Sequence, residues 1–242
     1  ALPISLSFWD GKRPLAALSF YATHPMSYYG DGRVSSDFAG LARKRLQEND
    51  KDCTHLYFTG CAGNVAAGKY NDGTPLARQQ LTDRLHAAMA ESTRKLQPEP
   101  LERIAWHTQE IVPSPRSSFA EEALLKEIAK RENGLANRIR PAMMLSWLRR
   151  CQAKVPVVLS AMHLNDATLL HLPAESFVEY QLRAQSFAPG RFVATAAYGD
   201  GGPWYVPVQE AYPQGGYEVG VAFSEPTIDD MLSQGIRRLV TV

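Results

Sequence analysis

Short apolar runs bounded by turn residues alternate with stretches whose apolar residues recur at helical spacing, and this alternation constrains the fold more than any other feature of the chain. Strand-like runs occupy 4–9, 15–22, 54–59, 104–112, 155–164, 167–172 and 191–197. Between them, Ser35, Ser36 and Asp37 offer N-cap oxygens to a helix running to about Glu48. Thr74 and Pro75 open a second helix, in which Leu81, Leu85, Ala88 and Met89 share a face and which stops before Pro98. Residues 119–131, 141–152, 175–187 and 226–239 read as four further helices. Strands interleaved with helices predict an α/β fold, a layered mixed β-sheet flanked by helices in a single domain; the sheet is mixed because several strands also follow one another through short turns. PSPRSSF at 113–119 and RENGLANRIRP at 131–141 read as surface loops, or as parts of an inserted helical hairpin over 113–152.

A chain of 242 residues with 45% hydrophobic content can bury a sizeable core. Lys plus Arg number 26 against 25 Asp plus Glu, so no net field attracts a polyanion, and no basic run interleaved with aromatics marks a phosphate track. Nucleic acid is therefore not an expected partner. Cys53, Cys61 and Cys151 form an odd set without CxxC or Cys/His spacing, which argues against a disulfide framework or a structural zinc knot and favours buried small apolar residues. Nowhere do about eighteen apolar residues run together, so no transmembrane segment is expected, and no signal peptide is visible. The chain opens inside a strand-like run without a leading Met, which suggests part of something longer.

Four polar clusters sit just after strand-like runs, where α/β proteins place binding groups on loops carried by a rigid sheet. The first is Thr23-His24-Pro25: the proline ends the strand and leaves the His24 imidazole at the sheet edge, although a lone histidine is more often structural. The second, FTGCAGNVAAGKYNDG at 58–73, contains a GxxxxGK pattern from Gly63 to Lys69. A phosphate-binding loop needs Ser or Thr after the lysine and a helix starting there; Tyr70 follows instead, with Asn71, Asp72, Gly73 and Pro75 behind it. The alternative is a tight Gly-rich turn that lets the backbone approach a neighbouring site closely. In the third, LLHLPAESFVEYQL at 169–182, Glu175 opens a helix, where the helix dipole alone would explain a carboxylate. The fourth, AAYGDGGPWYVPVQEAYPQGGYE at 196–218, carries Trp204, Tyr205, Tyr212 and Tyr217, more aromatic surface than a solvent loop requires.

Taken in chain order, these segments resemble the neutral ceramidases, zinc-dependent amidases, and their bacterial ceramidase-like relatives. YATHPMS followed by SSDFAGLA is similar to that family's zinc-histidine segment, and LPAESFVEYQLRAQ to the segment that supplies its glutamate ligand. WYVPVQEAYPQGGYE resembles the loop in which one tyrosine binds zinc and another, twelve residues later, faces the substrate; Tyr205 and Tyr217 have that spacing. The resemblance spans Ile4 to Glu218.

It implies one Zn²⁺ held by His24, Glu175 and Tyr205, with Tyr217 contacting or polarising the scissile carbonyl and Asn64 and Lys69 lining the catalytic site. Asp37 joins them on the same ground, though a helix-cap role explains it equally well. Nitrogen and oxygen ligands suit Zn²⁺, and an open position on such an ion activates a water for hydrolysis of an amide or ester in a small or lipid-like substrate. Two departures stand out. The family's other zinc histidine comes from a segment upstream of Ala1, so residues 1–242 would be the C-terminal portion of a catalytic domain. Ala66 also stands where ceramidases carry a serine important to catalysis. The resemblance is consistent with a secreted or periplasmic location. Two further readings are a scaffold or binding protein that kept the fold without the chemistry, and a nucleotide binder using Gly63 to Lys69.

Overall fold

The computed structural model describes residues 3–28, 32–94, 96 and 98–242. The protein is a mixed α/β domain in which the strands are shared among separate sheets. The first sheet has the order β1 (Ile4–Asp10), β2 (Arg13–Tyr21), β3 (Thr54–Thr59), with β1 antiparallel and β3 parallel to β2. The β2–β3 crossover runs through α1 (Asp37–Asn49). Alternation along β2 sends Ser19 and Ala17 to one face and Leu18 and Phe20 to the other, as a two-residue period requires. The first face is covered by α1 and α2 (Pro75–Arg94), whose Phe38, Leu46, Leu81, Leu85 and Met89 form one apolar cluster. Thr74 caps α2, its Oγ1 accepting the Ala77 N–H at 3.1 Å. The sequence places the end of this helix before Pro98; α2 ends at Arg94, and residues 95 and 97 lie outside the described set.

The second sheet has the order β4 (Ile104–Ile111), β5 (Val157–Leu164), β6 (Ala167–His171), β8 (Val193–Ala196), with β8 parallel to β6 and the other pairs antiparallel. Between β4 and β5 lie α3 (Glu121–Ala129) and α4 (Leu135–Gln152), a helical hairpin packed through Leu124, Leu145 and Leu148. One difference from the sequence reading appears here: helix α4 begins before Pro141 and carries that proline inside. The 113–119 segment is a loop, tied to the fold by the Arg116 N–H to Phe223 carbonyl bond of 2.8 Å.

A pair of two-residue strands, β7 (Glu175–Ser176) and β9 (Tyr205–Val206), runs parallel between α5 (Val178–Phe187) and the aromatic loop. The chain closes with the short helix α6 (Tyr217–Val221) and with α7 (Ile228–Val240), which lies along β4, β5 and β6. Ile228, Leu232, Ile236 and Leu239 of α7 meet Val157, Leu159 and Ala161 of β5 in the main core. Each such aliphatic side chain contributes about 1.5–3 kcal/mol through removal from water. Leu18 and Phe20 pack against Ala194 and Ala196, and the Ala197 N–H donates to the Thr59 carbonyl at 3.0 Å, so the two larger sheets meet at β8. Among the described residues, no helix is long and apolar enough to cross a membrane.

Candidate functional site

His24 lies just beyond the C-terminal end of β2, where Pro25 stops the ladder. Its N–H donates to the Val65 carbonyl at 2.8 Å, and its ring Nδ1 stands 3.1 Å from the same oxygen. A carbonyl only accepts, so Nδ1 carries the hydrogen and Nε2 is the nitrogen turned toward the rest of the site. Nε2 is 2.8 Å from Glu175 Oε2 and 3.3 Å from the Tyr205 hydroxyl. An imidazole, a carboxylate and a phenol from three distant segments thus converge on one point. The His24 and Glu175 side chains retain only 19% and 20% of their exposure.

The convergence depends on the short β7–β9 pair, in which Glu175 and Tyr205 are direct register partners. This corrects the sequence expectation that Glu175 opens a helix. It lies in a strand, held by its N–H to the Trp204 carbonyl (2.8 Å), and α5 starts only at Val178. The helix-dipole explanation of this carboxylate therefore falls away. Ala174, Tyr198 and Trp204 around the pair adopt φ of 53°, 66° and 58°, left-handed values that cost a residue with a Cβ about 1–2 kcal/mol each. Such strain persists only where the surroundings over-determine it. Gly63 is required here for closeness: a Cβ would stand 2.3 Å from the Glu175 carbonyl oxygen. The tight Gly-rich turn therefore lets the backbone abut the site.

Charge follows the geometry. The hydrogen bond to Glu175 raises the His24 pKa against the opposing effect of burial. Burial works to raise Glu175, but bonds from His24 and Tyr205 prevail and hold it below the usual carboxylate range. Burial, reinforced by the bond to Glu175, pushes the Tyr205 phenol far up. Nε2 of His24 and Oε2 of Glu175 thus favour each other's charged forms across 2.8 Å.

The remaining expected residues divide. Tyr217, the first residue of α6, has its ring 5.8 Å from that of Tyr205, edge to face, and is 58% exposed, at the rim of the cluster. Asn64 and Lys69 are not brought to it. Asn64 accepts the Val178 N–H at 2.9 Å and donates to Glu179 at 2.9 Å, capping α5 from far away in sequence. Lys69 lies over the Tyr70 ring, 5.6 Å from its centre. Gly68–Tyr70 form one 3-10 turn and Asn71 is extended, so no helix begins at Lys69 as a phosphate-binding loop requires. Asp37 is spent on Ser27 and on the Phe38 N–H (2.6 Å), within the start of α1. Ala66 bridges His24 and offers only a methyl group.

Arg140 and Tyr198 were not read from the sequence, and Trp204 was noted there only as aromatic surface. Trp204 Nε1–H donates to Glu175 Oε1 at 3.0 Å and fixes the carboxylate; Arg140 of α4 stacks on that indole at 4.9 Å; Tyr198 meets the His24 ring edge-on at 6.3 Å. The WY pair and the isolated aromatics were visible, but not the sheet pairing that aims them. Elsewhere, Cys53 is buried as expected, yet stands with Asp50 and His55, their ligand atoms all within 4.8 Å of one another.

The whole chain superposes on known folds. A structure titled "Ceramidase complexed with C2" matches 98% of this chain with a TM-score of 0.71 at 16% identity. The neutral ceramidase from Pseudomonas aeruginosa matches 98% with a TM-score of 0.71 at 18% identity. The fold is ceramidase-like. The chain spans 47% and 45% of those two proteins' length. No family model and no curated protein sequence matches.

Proposed function

We propose that this chain forms much of the active site of a metal-dependent hydrolase of an amide or ester bond, with one Zn²⁺ held by His24, Glu175 and Tyr205. The observation that carries the reading is the meeting of His24 Nε2, Glu175 Oε2 and the Tyr205 hydroxyl at 2.8 and 3.3 Å in a largely buried place. The residues present fit such an ion. The donor set is nitrogen and oxygen, the tautomer of His24 presents Nε2, and Trp204 orients the carboxylate, as partners of metal ligands do. A further ligand is expected from residues upstream of Ala1. When bound, the ion would supply Lewis acidity, lowering the pKa of water from 15.7 to about 7.

The chain's own groups do the rest. Val65 and Trp204 hold the two ligands in orientation, the aromatic wall of Tyr198, Trp204 and Tyr205 limits water, and exposed Tyr217 reaches a substrate carbonyl at the rim to donate to developing oxyanion charge. The fold likeness to ceramidases supports a lipid-like amide as the substrate class.

Metal analysis of the purified chain tests the reading: His24→Ala and Glu175→Gln should each lose about one equivalent of zinc relative to wild type. Unchanged content in both variants would falsify it. Tyr217→Phe should keep that zinc and lower amide turnover about 10²-fold. A second reading, a metal-holding scaffold without turnover, rests on Ala66, which touches His24 where the resemblance expects a serine hydroxyl. It requires full zinc content with no hydrolysis of any amide or ester tried.

A further inference from the structure

The opposite end of the β2–β3 pair carries a second group of ligand atoms, for His55 pairs with Ala17 near the start of the parallel ladder, whereas His24 lies beyond its far end. Helix α1 ends at Asn49, and the chain turns through Asp50 and Cys53 into β3. The turn is built around one side chain. Gln47 donates to the carbonyls of Asp50 (3.1 Å) and Cys53 (2.9 Å) and accepts the His55 N–H (2.9 Å). Cys53 ends the turn that leads into β3, and His55 is the second residue of that strand.

Burial makes this cluster unusual. Cys53 is 3% and His55 4% exposed, while Asp50 keeps 47% of its side-chain exposure and so leaves the group reachable from solvent. His55 Nε2 meets Asp50 Oδ2 at 3.3 Å, a long contact for a hydrogen bond, and Nδ1 is buried without any hydrogen-bond partner. An unpartnered buried ring nitrogen costs about 1–3 kcal/mol, which native structures seldom leave uncompensated. Asp50, Cys53 and His55 each bring one potential ligand atom to within 4.8 Å of the other two.

We propose that Asp50, Cys53 and His55 form a second cation site, for a borderline-soft divalent ion of the zinc type, with solvent completing the coordination. Thiolate and imidazole select such an ion over calcium or magnesium, whose ligands are oxygens. On binding, the Cys53 thiol passes its proton to solvent and the Sγ–metal bond replaces the S–H bond. The ion ties the end of α1 to the start of β3, so its role is to brace the crossover on which the first sheet depends.

Cobalt(II) titration of the metal-stripped chain tests this, because thiolate-to-cobalt charge transfer in the near ultraviolet reports a cysteine ligand that the His24 cluster lacks. The wild type and His24→Ala should both show the band, and Cys53→Ser should abolish it; zinc should displace the cobalt. Asp50→Asn, at a half-exposed position where the fold should tolerate it, should weaken cobalt binding at least about tenfold. No band in the wild type, a band surviving in Cys53→Ser, or unchanged affinity in Asp50→Asn would each overturn the site. Loss of zinc equivalents in His24→Ala with the cobalt band intact separates the two sites, so failure of one assignment leaves the other standing.

Discussion

The two proposed ligand clusters are made in opposite ways. His24, Glu175 and Tyr205 come from segments separated by 151 and 181 residues and meet only because β7 and β9 pair in one register beside the end of β2. Asp50, Cys53 and His55 come from a single turn wrapped around Gln47. Bringing the first together closes far longer loops and so costs more entropy, while the second needs only α1 and the start of β3. The difference teaches that one cluster should fail whenever the tertiary fold is disturbed and the other only when its own turn is cut.

The largest effect that can break this contrast comes from Gly63→Ala. A Cβ standing 2.3 Å from the Glu175 carbonyl must displace backbone, at about 1–3 kcal/mol. Chemical denaturation should show that loss and zinc titration should show failure of the His24 cluster, while cobalt binding by Cys53 persists; joint loss of both would dissolve the distinction. Next comes Trp204→Phe. It removes the donor that fixes Glu175 Oε1 and should weaken zinc binding at His24 about 10–100-fold, with the fold retained by circular dichroism. Gln47→Ala is the mirror experiment: about 1–2 kcal/mol of stability should go with the bonds that shape the 50–55 turn, and the cobalt band should weaken while zinc at His24 is unaffected.

The smallest effect concerns Asp200, which brackets the aromatic loop through paired bonds to Arg150 (2.9 and 2.8 Å). Those bonds outweigh burial and hold its pKa below the usual carboxylate range. A depressed folded pKa contributes stability above the unfolded value of about 3.9 and loses it as pH falls through the folded one. Asp200→Asn should therefore cost about 1 kcal/mol or less at neutral pH. That difference should shrink below about pH 4 in denaturation curves of the two proteins; a constant difference would remove the ion pair from the account.

Strand existence was legible because period-two alternation is a local signal: β3 was placed at 54–59, the bounds it has, and β1, β2, β4, β5, β6 and β8 within about two residues. The α/β class followed from that. The division into sheets was not legible, since nothing in β3 or β8 says whether they pair or merely abut. Glu175 was singled out but placed in a helix, because the register partner that makes it a strand lies at Tyr205 and the cap that starts α5 comes from Asn64. Helix α4 was read over 141–152, with RENGLANRIRP before it as a loop, but it runs back to Leu135 and carries Pro141 inside. The Cys53 group escaped notice because its third member, Asp50, lies outside any cysteine–histidine spacing.

One detail at His24 reaches further than its size. A single oxygen, that of Val65, receives both the main-chain hydrogen of this residue and the hydrogen on its ring. The imidazole plane therefore cannot swivel without surrendering a bond, and a flipped ring would confront the carbonyl with carbon. Of the two edges a histidine can offer, this one is held with Nε2 inward, so an ion bound there as proposed would exchange by movement of the ion and not by a turning of the ring.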